Sequence, residues 1–232
     1  MSRRFKRPLH QAVLRHLARL DASFLAECSC YFGGGTRIVL ELGEYRESKD
    51  IDFLCADKEG YRKLRETVSE KSLGRIARED VVLAREVRAD MYGIRTRLGQ
   101  DDSALKFEIV RESRITLSDA RIKGIDAPSL SHSSAFAEKF LANSDRGLDR
   151  STLSRDAIDL AFMIEAWSGD DASAGHGIAV DAYGADVARK LAAALDLLKD
   201  RNYRARCVEG LAISDTATLA RGLKRLAAFV EP

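Results

Sequence analysis

Phe32-Gly33-Gly34-Gly35-Thr36, then thirteen residues, then Asp50-Ile51-Asp52-Phe53, is the segment whose residue types and spacing could do chemistry. Side chains alternate across a strand, so Asp50 and Asp52 share one face, about 7 Å apart at their α-carbons, while Ile51 and Phe53 turn to a core. Two carboxylates placed alike repel. A hard divalent cation such as magnesium takes oxygen ligands, relieves that repulsion and leaves positions open for phosphates. Glycines just ahead of a threonine let the backbone approach a ligand and present amide hydrogens and a hydroxyl to a phosphate group. The run lacks a Gly-Lys-Ser/Thr ending, which argues against a P-loop. A third carboxylate stands in Lys106-Phe107-Glu108-Ile109-Val110, where Lys106 and Glu108 share a strand face. Glu108 either joins the aspartates, as metal ligand or as base for an attacking hydroxyl, or is neutralised by Lys106 or Arg111.

The elements that must position these groups follow from periodicity. Leu9, Val13, Leu17, Leu20 and Phe24 recur at helical spacing and predict one amphipathic helix over 8–27, with Arg15 and Arg19 on its wet side. After the glycines, the apolar runs 38–42 and 51–55 read as two strands joined by a polar loop over 43–49. Residues 60–72 read as helix, and 81–87, 92–98 and 105–110 as three further strands. Beyond Pro128 the pattern becomes wholly helical, over 135–142, 156–167, 185–198 and 216–229, with the Gly- and Ser-rich piece 168–177 as an exposed loop. The expected class is α+β: a small mixed sheet flanked by helices over 1–127, then a helical domain over 128–232 that closes one wall of the active-site cleft.

Composition bounds the possibilities. The chain has 232 residues, 45% hydrophobic and 32% charged, with 3 prolines and 16 glycines, which excludes disorder and collagen-like fibre. Lys plus Arg at 38 against Asp plus Glu at 36 leaves a formal charge of +2, so any basic surface must be local. No apolar run approaches the roughly 20 residues needed to cross a bilayer. The first residues lack the apolar core of a secretory signal, so the expected compartment is the cytoplasm and no membrane partner is expected. Cys28, Cys30, Cys55 and Cys207 form no CxxC pair, and His10, His16, His132 and His176 have no metal-ligand spacing; the thiols read as structural.

The glycine turn, the Asp-x-Asp strand and the later single acid resemble the nucleotidyltransferase superfamily. Arg46, Ser48, Asp50, Ile51, Asp52 and Phe53 are similar to the Arg-x-Ser-x-Asp-Ile-Asp-Phe run of its AbiEii/AbiGii toxin branch. Lys139, Ala142, Arg146, Arg155, Asp156 and Asp159 are similar to the branch's Lys-x-x-Ala and Arg-Asp-x-x-Asp helical motif. The resemblance covers roughly residues 30 to 165. It implies transfer of a nucleotide from a nucleoside triphosphate to an acceptor, transfer RNA ends being the acceptor for some members, and a cognate antitoxin as partner. In that reading Asp50, Asp52 and Glu108 hold magnesium or manganese, Gly34, Gly35, Thr36 and Ser48 hold the triphosphate, and Lys139 neutralises phosphate charge. Arg46 and Ser48 are equally read as residues that shape the loop. The segment 144–154 is longer than the family spacing, which leaves open whether Asp156 or Asp159 matches the functional, nucleotide-binding aspartate. Arg37 replaces a small residue after the turn and either binds triphosphate or faces solvent. Arg146, Arg150 and Arg155 alternate with Asp145, Asp149 and Asp156, as on a solvated mixed-charge face. Two other readings stay open: a transferase acting on a small antibiotic-type molecule, which would want an acidic pocket, and a catalytically silent binding domain.

Overall fold

The computed structural model describes residues 5–78 and 81–230. The chain forms two compact units, one built from Met1–Glu41 with Ser48–Ser131, the other from Leu42–Glu47 with His132–Pro232. The first unit runs α1 (Pro8–Leu17), α2 (Ala22–Glu27), β1 (Cys30–Phe32), α3 (Gly34–Glu41), β2 (Ile51–Cys55), α4 (Lys58–Thr67), β3 (Leu83–Ala89), β4 (Gly93–Leu98), β5 (Leu105–Arg111), β6 (Asp119–Ala120) and β7 (Ser129–Leu130). Its strands form one mixed sheet in the order β3-β4-β5-β2-β1-β7-β6. Strands β2 and β5 pair in parallel, as do β1 and β7, and every other neighbouring pair is antiparallel.

The sheet's buried face explains its register. Ile51 and Phe53 on β2, Phe107 and Ile109 on β5 and Ile94 on β4 are all inaccessible to solvent and join the core with Phe32, Val13 and Leu17. Alternation then turns Asp52, Lys106 and Glu108 to the other face, as the sequence pattern predicts. The predicted helix over 8–27 is two helices. Asp21 accepts a hydrogen bond from the Phe24 amide at 2.9 Å, capping α2, while Leu20 makes a bridge to Ala77. The run 38–42, expected as a strand, lies in α3 as far as Glu41. Thr36, Arg37, Ile38, Val39 and Leu40 are all buried, so the helix has no polar stripe and its periodicity is invisible in the sequence.

The second unit contains α5 (His132–Arg146), α6 (Arg155–Ala166), α7 (Gly169–Tyr183), α8 (Asp186–Lys199), α9 (Arg201–Gly210) and α10 (Thr216–Val230). The segment expected as an exposed loop over 168–177 is the start of α7. Ser168 caps it by accepting from the amides of Asp170 and Asp171. Gly175 lies so close to α5 that a Cβ there would stand 2.5 Å from the Phe136 Cβ. A glycine that reads as a helix breaker is thus the residue that lets two helices touch. Among the described residues no helix is long and apolar enough to cross a membrane.

Candidate active site

Strand β1 ends at Phe32, and the chain turns through Gly33 and Gly34 directly into α3. The Gly33 amide donates to the Asp52 carbonyl at 2.8 Å, which ties the turn to β2 beside it. Gly34 has φ +66°, and a Cβ at that position would meet Asp52 Oδ2 at 2.6 Å. Glycine is required twice over, by backbone sign and by the carboxylate pressed against it. The first amides of α3 lie at this turn, where a helix N-terminus favours anions. Thr36 is buried, and its hydroxyl shares a 2.8 Å hydrogen bond with that of Ser48. The Ser48 amide donates to His10 Nε2 at 3.4 Å. Thr36, Ser48 and His10 therefore fix the approach of the chain to Asp50, and His10 is a contributor that no motif announces. Arg37, read as either a triphosphate ligand or a solvated cation, is neither. It is fully buried, donates to the Leu130 carbonyl at 2.8 Å and pairs with Glu41 at 2.8 Å, and burial lowers its pKa to about 10 against the raising influence of Glu41.

Asp52 and Glu108 are register partners across the parallel β2–β5 pair, which sets two carboxylates directly opposite on one face. Their side chains retain 25% and 14% exposure, respectively. Like charges so placed destabilise a sheet unless a cation answers them. Here Lys106 does so: its Nζ hydrogen-bonds Glu108 Oε2 and lies 3.8 Å from Asp52 Oδ1. Arg95, the register partner of Glu108 on β4, donates from Nε to Glu108 Oε1 at 2.6 Å. Burial alone would raise the Glu108 pKa, but hydrogen bonds from Lys106 and Arg95 outweigh it and hold the carboxyl below its ordinary value. Burial opposes the Lys106 ammonium, yet Glu108, Asp52 and Asp50 raise its pKa. Asp50 lies on the residue before β2 and is half-buried. Arg95 escaped sequence reading because only the pairing of β4 with β5 brings it to Glu108.

The other expected residues belong to the helical unit and form a cluster of their own. Lys139 on α5 is 5% exposed, with Nζ 2.8 Å from Asp156 Oδ1 and 2.7 Å from Asp159 Oδ2, both on α6. Arg46 grips both oxygens of Asp159, from Nε at 2.7 Å and from NH2 at 2.8 Å, and Tyr45 donates its hydroxyl to Oδ1 at 2.6 Å. Arg146 donates to both oxygens of Asp156, at 2.7 and 3.0 Å. Burial pushes the Asp156 and Asp159 pKa values up, but the cations around them prevail and hold both carboxyls below their ordinary range. The Tyr45 hydroxyl moves the other way, well above its ordinary value, through burial and the neighbouring Asp159 charge. Arg46, read from the sequence as a loop-shaping residue, clamps Asp159. Arg146 is committed to Asp156, and Arg150 lies over the Tyr203 ring, 5.3 Å from its centroid.

Among the described residues no cluster of three or more His, Cys, Asp or Glu side chains converges as a metal centre. The donor set is nonetheless one that suits a hard cation: two opposed carboxylates on adjacent strands, with Asp50 two residues away from one of them. The four cysteines are free and buried, consistent with structural thiols.

A mixed sheet whose glycine turn is set against a strand carboxylate, flanked by helices and followed by a helical unit, is the architecture of a nucleotidyltransferase. Two solved structures share the fold. One, a protein from H. pylori provisionally assigned as a nucleotidyltransferase, is 21% identical over 95% of this chain and 92% of its own, with a TM-score of 0.54. The other, JHP933 from Helicobacter pylori, is 17% identical over 95% of this chain and 90% of its own, with a TM-score of 0.52. Over residues 15–216 the chain matches the family described as Nucleotidyl transferase AbiEii toxin, Type IV TA system, and it belongs to that family. No curated protein matches it.

Proposed function

We propose that this enzyme transfers a nucleotide from a nucleoside triphosphate to an RNA end, transfer RNA being the expected acceptor, as the toxin of a toxin–antitoxin pair acting in the cytoplasm and restrained by a cognate antitoxin. The observation that carries the reading is the opposition of Asp52 and Glu108 in register beside the Gly34 turn. Asp50, Asp52 and Glu108 would hold magnesium or manganese, which when bound supplies positive charge at the transferring phosphoryl group. Gly34, Gly35 and the start of α3 present amides to the triphosphate, with Thr36 and Ser48 fixing the turn that carries them. Glu108, kept ionised by its neighbours, is available as ligand or as proton acceptor for the attacking hydroxyl. Lys139, with Asp156 and Asp159, is assigned to phosphate handling by the motif resemblance alone, and its buried ion pairs give it an equally strong structural role.

A small cationic acceptor would want acids around the reacting centre. The depression of about 750 Å³ beside Asp50 is instead lined chiefly by cations, which favours an anionic acceptor. The test is to incubate the protein with magnesium, each labelled nucleoside triphosphate in turn, and either total transfer RNA or a panel of aminoglycosides. Labelled RNA that disappears on chelation is the expected result. Labelled drug with unlabelled RNA overturns the acceptor, and labelling that survives chelation overturns the metal dependence.

A further inference from the structure

The sheet of the first unit carries a row of cations that leads away from the carboxylates on one side only. Arg85 on β3 pairs in register with Arg97 on β4, and Arg97 pairs in register with Lys106 on β5, so three cationic side chains stand directly opposite one another across three strands. Arg88 and Arg95 form a second such pair beside them. Like charges in register cost stability, and nothing in the sheet's packing asks for them, because the buried face is satisfied by Ile94, Leu98 and Phe107. Arg95 is neutralised by Glu108 and Asp90, whereas Arg85 and Arg88 are exposed and make no ion pair among the described residues. The depression they line holds six cations, Lys49, Arg85, Arg88, Arg95, Arg97 and Lys106, against Asp50 and Glu86. In a chain whose formal charge is only +2, that is a strong local excess.

Strand order then decides which anion the row serves. The glycine turn follows β1, on one side of β2, while the cationic strands lie on the other side, in the order β3-β4-β5-β2-β1. At about 4.8 Å per strand, β4 and β3 are roughly 10 and 14 Å from the strand that bears Asp52. A triphosphate seated at Gly34 and Gly35 would lie on the opposite side of β2 from β4 and β3. We propose that the Arg85–Arg97–Lys106 row, with Arg88, is the track for the phosphate backbone of the acceptor RNA, so that donor and acceptor reach Asp52 and Glu108 from opposite flanks of β2. The proposal rests on the acceptor reading above and adds to it the surface and the direction of approach.

The experiment compares the wild-type chain with an Arg85→Glu/Arg88→Glu double variant, both positions being exposed and remote from the core. Binding of 5′-labelled transfer RNA is followed by anisotropy at two salt concentrations, and binding of magnesium-nucleoside triphosphate is measured separately by calorimetry. The expected result is a loss of RNA affinity of at least about tenfold with a shallower salt dependence, since fewer counterions are released, while nucleotide binding is unaltered. RNA affinity unchanged in the variant, with wild type binding RNA, overturns the track alone. Equal loss of nucleotide binding overturns it in favour of a donor site on this flank. Wild-type protein that binds no RNA overturns the acceptor reading and the track with it.

Discussion

At the residue scale the site is a set of charges whose positions are fixed by β-sheet register, so a change of charge at constant shape isolates the chemistry. Asp52→Asn removes one of two opposed carboxylates and keeps the side chain's size. Transfer should fall by roughly a thousandfold, while the melting temperature stays within a few degrees or rises as the repulsion from Glu108 is relieved. Single-turnover labelling together with calorimetry checks both halves, and full activity in the variant excludes Asp52 from the reaction. Gly34→Ala tests the turn in a different way. The alanine would be held at φ +66° with its Cβ 2.6 Å from Asp52 Oδ2, so either the backbone or the carboxylate must shift. A stability loss of about 1–3 kcal/mol and a marked drop in turnover are expected. Chemical denaturation and kinetics read them separately, and an unchanged rate would mean that Asp52 tolerates displacement.

At the scale of elements, the buried cluster joining α5, α6 and the 42–47 segment dominates the helical unit. A lysine on a solvated helix face would change stability by no more than about 0.5 kcal/mol on truncation. Lys139 is not such a residue. Removing it still leaves Asp156 with Arg146 and Asp159 with Arg46, one cation to each acid. Removing the acid instead, as in Asp159→Asn, leaves the buried Arg46 without a carboxylate, a loss of about 3–5 kcal/mol. Urea unfolding should therefore rank Asp159→Asn as clearly more damaging than Lys139→Ala, and the reverse order would show that Lys139 is the pivot of the cluster. The same elements show what the sequence could convey. Strands β4 and β5 and the helices α8 and α10 are visible because each has one wet and one dry side, which period 2 or 3.6 records. Helix α3, dry all round, reads as a strand. Helix α7, whose glycine meets α5, reads as a loop, and β1 is only three residues long. For the site, the Asp-x-Asp run and Glu108 stand out by spacing, whereas Arg95 and His10 join it only through pairing and packing that no local pattern encodes, as Tyr45 joins Asp159 in the helical unit's own cluster.

At the scale of the whole molecule, buried groups with perturbed pKa values set the pH dependence of stability at both ends of the range. In the helical unit, Asp156 and Asp159 have folded-state pKa values held below the ordinary 3.8. Unfolding returns them to that value, so below about pH 4 the unfolded chain binds protons that the folded one does not, and stability falls as pH falls further. In the sheet unit, burial raises the Cys55 thiol from 9.0 to about 12 and lifts Cys30 well above its ordinary value. Those groups lose their protons on unfolding first, so above about pH 9 the folded chain binds more protons than the unfolded one and stability falls as pH rises. Tyr45 acts in the same sense in the helical unit, but from its higher ordinary value of 10.0, and so enters later. The single tryptophan, Trp167, directly follows α6 and reports on the helical unit. Denaturant unfolding followed by Trp167 fluorescence should weaken between pH 5 and pH 3, and Asp156→Asn should flatten that slope, because one of the linked protons is gone. Between pH 8 and pH 10.5, circular dichroism of the sheet should weaken first, and Cys55→Ser should reduce the dependence there. A fluorescence midpoint independent of pH between 5 and 3 would mean that the Asp156 and Asp159 pairs persist in the unfolded chain, and that the cluster contributes nothing to the folded state's margin.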